Sequence, residues 1–207
     1  MEQNQKPNTD MPEKRSYQFS LEIEKREDEQ LVLKGHAAVF NTYADIGWWE
    51  ERIMPGAFSD TLKKDDVRAL YNHDSNYLLG RNKNNTLVLR EDEQGLYTEI
   101  ILPDTTYAKD LYKLIQRGDV SQMSFGFEVK KQAWTEGEKG KPDKRDIQEV
   151  KLYDVSPVVF PAYTQTDISV ASRSWESWRG EQNLNLNSPY KANILRRKLN
   201  LKLKGGK

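Results

Sequence analysis

The sequence predicts an α+β fold, a strongly curved antiparallel sheet or β-barrel flanked by a few short helices. Two observations carry this. Most of the chain alternates apolar and polar residues over short runs bounded by turn residues, and only two stretches read as helix. A third sets the scale: of 207 residues, 36% are hydrophobic, a lean share that leaves part of the chain outside any core.

Residues 1 to 15 are polar, hold two prolines and lack periodicity, so they read as a disordered leader. Tyr17, Phe19, Leu21 and Ile23 then alternate with polar residues, the period of a half-buried strand, and LVLKGHAAVF after the polar turn REDEQ supplies its hairpin partner. The aromatic segment NTYADIGWWEERIMPGAF is irregular, with a turn at Pro55-Gly56, and AFSDTLKK behind it reads as a short helix. DVRALYNHD is a strand ending at His73 and Asp74. NTLVLRED and GLYTEIIL form a strand pair around Gly95. Asp104 or Thr105 caps a helix in which Ala108, Leu111, Tyr112 and Ile115 share one face, and Gly118 ends it. In VSQMSFGFEVKK, Met123, Phe125, Phe127 and Val129 lie on one side and Gln122, Ser124, Gly126 and Glu128 on the other. After a charged Gly/Pro loop, IQEVKLYDVSPVVFPAY is a strand expected to break at Pro157 and Pro161. Trp175 and Trp178, three residues apart, are placed to pin the end of a domain spanning 16–172, and 173–207 reads as a flexible basic tail.

Composition excludes much chemistry. Without cysteine there are no disulfides, thiolate metal sites or cysteine nucleophiles. With only His36 and His73, a three-histidine zinc site is impossible, and neither a metal nor a cofactor is expected. The zero net charge averages unlike parts: from Glu181 onward seven basic residues face one acid, a +6 tail on a −6 body. An acidic body disfavours nucleic acid as the main partner, and no apolar run suggests a signal sequence or a membrane span. Phosphate-loop, dinucleotide, HExxH and GxSxG signatures are absent.

What remains is a serine nucleophile with an imidazole base, since a hydroxyl attacks a carbonyl only once a positioned His takes its proton. His73 stands at a strand-to-loop junction where a ring can reach a cleft. Ser124 lies opposite the apolar face of its strand, beside Gly126, where a substrate backbone could approach closely.

GHAAVFN (35 to 41), Glu51 with Pro55-Gly56-Ala57-Phe58, LYNHD (70 to 74) with Gly80, EDEQGLYTEIILPDT, GDVSQMSFGFEV and LYDVSPVVFPAY together resemble the prohead, or capsid maturation, proteases of tailed bacteriophages. The resemblance covers residues 17 to 172. That family is distantly similar to the herpesvirus assemblin proteases, which implies a herpesvirus-protease-like fold. It implies His73 as general base and Ser124 as nucleophile, and treats His36 as a strand residue. The third member falls on Asp154, where the family more often has Glu. On strand parity Asp154 shares a face with Val150 and Leu152, and Glu149 and Asp74 stand as substitutes for its role. The resemblance further implies an endopeptidase working inside the prohead in the host-cell cytoplasm. It would cut the scaffold protein or the scaffolding region of the major capsid protein, and cut and associate with itself. An inactive capsid-assembly module on the same fold is the alternative.

Overall fold

The structure, a computed structural model, describes residues 12–17, 21–46, 49–138, 140–160 and 174–180. The fold is mixed α+β, mostly sheet with short helices. Strands β1 (Glu13–Tyr17), β2 (Glu22–Lys25), β3 (Leu31–Val39), β4 (Ala44–Asp45) and β5 (Trp49–Ile53) precede helix α1 (Ser59–Lys64). Strands β6 (Arg68–Tyr71), β7 (Asp74–Arg81), β8 (Leu87–Glu91) and β9 (Gly95–Ile101) lead to helix α2 (Thr106–Gln116) and then to two long strands, β10 (Gln122–Thr135) and β11 (Asp143–Val158).

These strands make two open sheets rather than a closed barrel. A four-stranded antiparallel sheet runs β2-β3-β9-β8. A seven-stranded sheet runs β1-β10-β11-β5-β4, with the β6–β7 hairpin also attached to β11. It is not wholly antiparallel: the second edge of β11 is shared by β5, along Asp143–Ile147, and β6, at Asp154 and Val155, both parallel to it. In the gap between them α1 takes over, with Thr61 Oγ1 accepting from Leu152 N at 2.8 Å and Ala57 O from Val150 N at 3.0 Å. Local sequence alternation shows that a strand exists but not the direction of its neighbour, which is set by chain crossovers.

The main core lies among the sheets and helices, built from Leu33, Phe58, Leu96, Ile100, Leu111, Phe125, Phe127 and Leu152 among others, and a smaller cluster gathers Ile46, Trp49 and Trp175. Ala108, Leu111 and Ile115 bury the expected face of α2, and Gly118 turns the chain out of it at φ +83°. Thr105 is the N-cap residue, although its side chain makes no capping bond.

Four expectations are corrected. The single strand expected from Tyr17 to Ile23 is two strands in different sheets, β1 and β2. Strand β1 begins at Glu13, inside the expected leader, because Glu13 and Arg15 are buried in an ionic cluster that hydropathy cannot reveal. The irregular aromatic stretch holds β4 and β5. Pro157 does not break β11 but pairs with Met123, its carbonyl accepting from Asn72 N at 3.0 Å.

Residues 174–180 are helical, within the expected tail, and dock on β5, β10 and β11: Trp175 stacks on Trp49 and Trp178 on Trp134. Trp175 Nε1 donates to Asp143 at 2.6 Å. The expected break at Pro161, residues 1–11 of the leader and the chain after Gly180 lie outside the described residues. Among the described residues no helix is long and apolar enough to cross a membrane.

Candidate active site

β10 and β11 are the two arms of one antiparallel hairpin, and their register builds most of the site. Ser124 pairs with Ser156 and Gly126 with Asp154, whereas Phe125 pairs with Val155 and Phe127 with Leu152. Paired residues share a face, so Ser124, Gly126, Asp154 and Ser156 stand together opposite the apolar face. The alternation that places Ser124 is visible in the sequence. The position of Asp154 is not, since simple parity puts it with Leu152 in the core. Tyr153 is the extra residue of a β-bulge between Leu152 and Asp154, and it turns the carboxylate to the face of Ser124.

His73 arrives from a third element. β6 and β7 are joined by two residues, Asn72 and His73, with Tyr71 paired to Asp74. Both turn residues have positive φ, +55° and +58°, the requirement of a type I′ hairpin turn. Asn tolerates this region; a His here costs on the order of 1 kcal/mol in strain, typical of a residue held for function. Asn72 ties the turn to the end of β11, its N–H donating to Pro157 O and its Oδ1 accepting from Val159 N at 2.9 Å.

The three side chains meet in line. His73 Nδ1 lies 2.5 Å from Asp154 Oδ1, and His73 Nε2 lies 2.7 Å from Ser124 Oγ. Ser156 Oγ donates to the same Asp154 oxygen at 2.7 Å. With Nδ1–H donating to the carboxylate, Nε2 is left as an acceptor for the serine hydroxyl, the arrangement general-base catalysis needs. Ser124 is fully buried, and its Oγ also donates to the Arg15 carbonyl of β1 at 2.9 Å. A hydroxyl has one proton, so Arg15 O and His73 Nε2 compete for it.

Gly126 has a different role from the expected one. A Cβ there would sit 2.3 Å from Asp154 Oδ2, so the glycine makes room for the carboxylate rather than for substrate. Of the substitutes for Asp154, Asp74 instead accepts from Asn76 N at 2.9 Å, and Glu149 pairs across the strands with Lys131. His36 stands in β3, 2.8 Å from Asp92 Oδ2 and edge-on to Tyr97. Ser156 and Asn72 were missed by sequence reading. Ser156 carried a usable signal, since it lies two residues after Asp154 and therefore on its face.

Beneath β10 lies a buried ionic cluster. Arg15 bonds Glu51 and Glu13, each at 2.6 Å, and Arg145 bonds Glu51 at 2.7 Å and Glu13 at 3.0 Å. Burial alone would push the Glu51 carboxyl up, but the Arg15 and Arg145 guanidiniums outweigh it and hold it down at about 2. The cluster clamps β1 and β5 to the long hairpin.

A sequence model of the family described as caudovirus prohead serine protease matches residues 19–180. The prohead protease of Enterobacteria phage HK97 is 35% identical over 144 residues, which is 68% of this chain and 60% of that relative's length. Among solved structures, the bacteriophage T4 capsid assembly protease superposes with a TM-score of 0.49 at 12% identity, over 73% of this chain and 98% of that one. On the family match and the identity to the HK97 protein, the chain belongs to the caudovirus prohead serine protease family.

Proposed function

We propose that this chain is a serine endopeptidase of phage capsid maturation, with Ser124 as nucleophile, His73 as general base and Asp154 as the group that orients and stabilises the imidazolium. The observation that carries this is the continuous hydrogen-bonded line from Asp154 through His73 to Ser124. Ser124 Oγ attacks the scissile carbonyl carbon while its proton passes to His73 Nε2. The tetrahedral intermediate collapses as the C–N bond breaks, and His73 hands that proton to the leaving amine. Water, deprotonated in turn by His73, attacks the acyl-enzyme, and the proton returns to Ser124 as the new carboxylate leaves. Asp154 stays ionised throughout.

The family supports a setting inside the prohead in the host-cell cytoplasm, with the scaffold protein or the scaffolding region of the major capsid protein as substrate. Self-cleavage and self-association belong to the same reading, as do a herpesvirus-protease-like fold and a catalytic domain followed, after Gly180, by a basic extension that serves in docking or is itself cleaved off. The test is co-expression with the cognate capsid and scaffold proteins, comparing wild type with Ser124→Ala. Cleavage is expected in wild type alone; identical processing in both removes Ser124 from the nucleophile role.

A further inference from the structure

We propose that the edge of β10 from Met123 to Phe127 is the binding site for the main chain of an extended polypeptide, and that residues 13–17 of the same chain occupy it at rest. The inference rests on Ser124 being the nucleophile. Strand β1 lies antiparallel along this edge, with Ser16 opposite Ser124, Arg15 opposite Phe125 and Tyr17 opposite Met123. It is the terminal strand of its sheet, and among the described residues β10 is its one strand partner. The family model matches residues 19–180, so β1 lies outside the match. Without β1, the strand carrying the nucleophile would present a free edge of N–H and C=O groups, the template by which peptides are captured through strand addition.

The contact at Ser124 is that of a blocker rather than of a bond about to be cut. In attack, Oγ faces the carbonyl carbon. Here the Arg15 carbonyl turns its oxygen to Ser124 and accepts the hydroxyl proton at 2.9 Å. A proton donated to Arg15 O is withheld from His73 Nε2, and the nucleophile itself has no exposed surface. A substrate carbonyl reaches Ser124 only after β1 gives way.

The chemistry that holds β1 also lets it leave. Its buried anchors Glu13 and Arg15 are charged, and both regain full hydration when they part from the sheet. The Glu51–Arg145 pair they leave behind keeps its own 2.7 Å contact, so no buried charge is left alone. Substrate displacing β1 thus exchanges one strand for another along the same register.

The experiment measures the rate at which a fluorophosphonate probe labels Ser124 in the full chain, with Ser124→Ala as the blank. Because the chain has no cysteine, Tyr17→Cys combined with Met123→Cys gives one disulfide across directly opposed positions of β1 and β10. The oxidised protein is expected to label about ten-fold or more slowly than the same protein after reduction, the worth of roughly one hydrogen bond. Tyr17→Pro, which removes the β1 N–H on the same edge as the Arg15 carbonyl, is expected to label faster than wild type. Equal rates before and after reduction, or a folded Tyr17→Pro protein that labels no faster than wild type, overturn the proposal and make β1 a purely structural strand. Labelling at another residue, or in none of the forms, instead overturns the assignment of Ser124, and this inference falls with it.

Discussion

Gly126→Ala adds one methyl group and removes no functional group of the site, yet it is expected to disable it. The new Cβ would lie 2.3 Å from Asp154 Oδ2, whereas ordinary contact begins at 3.4 Å, so the carboxylate must retreat by about 1 Å. The bond from His73 Nδ1 to Asp154, now 2.5 Å, then lengthens to about 3.5 Å, where a hydrogen bond no longer holds the ring. A displacement of this size costs about 100-fold in rate, and the crowding costs about 1–3 kcal/mol in stability. Two readouts are needed: the rate of capsid or scaffold cleavage per folded molecule, and the low-field proton resonance of His73 Nδ1–H. Both are expected to collapse while circular dichroism is retained. Wild-type cleavage with an intact resonance would show that Asp154 does not depend on the space above Gly126, and the reasoning would be wrong.

Asp154→Asn is expected to lower cleavage by about 10³- to 10⁴-fold, because the amide favours the wrong imidazole tautomer; Asp74→Asn and Glu149→Gln should leave it near wild type, and a large loss in either would reassign the third role. Asp154→Glu should reduce activity about ten-fold or more, since the shorter side chain already sits at hydrogen-bond distance under a crowded Gly126; a gain in cleavage rate contradicts this. The Glu51 carboxyl is held at about 2, below its ordinary 4.5, so its contribution to stability is fully present above about 4.5 and is lost as the pH falls toward about 2. Denaturant midpoints over that range should fall more steeply in wild type than in Glu51→Gln, which also costs roughly 3–5 kcal/mol at neutral pH by leaving Arg15 and Arg145 short of a partner. Trp175→Ala removes the stack on Trp49 and the bond to Asp143, with an expected loss of about 3–5 kcal/mol and no change in cleavage per folded molecule.

Much of this was legible in the sequence. The alternation of Met123, Phe125 and Phe127 shows which way Ser124 points, because a strand has a period of two and an apolar face to bury. The α2 face and its glycine stop are equally local. Other features depend on information no short window contains. The bulge at Tyr153 looks like any residue in an alternating run, yet it decides whether Asp154 faces the core or the nucleophile. Strand β1 is written almost entirely in polar letters, and its burial follows from pairing Glu13 and Arg15 with Glu51 and Arg145, residues 36 to 132 positions away. The left-handed turn at Asn72-His73 lies between: Asn before the His is a turn signal, but its register comes from Tyr71 meeting Asp74.

All three proposed catalytic side chains belong to the seven-stranded sheet and its hairpin turn; the four-stranded sheet contributes none of them. Its Leu33, Leu96 and Ile100 instead complete the core on which the other layer rests. The two layers therefore divide the work between thermodynamics and chemistry. Damage to the four-stranded sheet should appear as fewer competent molecules, each turning over at its normal rate, whereas damage confined to the face of β10 and β11 that carries Ser124 and Asp154, or to the β6–β7 turn, should appear chiefly as slower ones. Counting active sites separates these cases, and it makes the outer faces of β2, β8 and β9 the places where a tag or a fusion can be carried without touching the reaction.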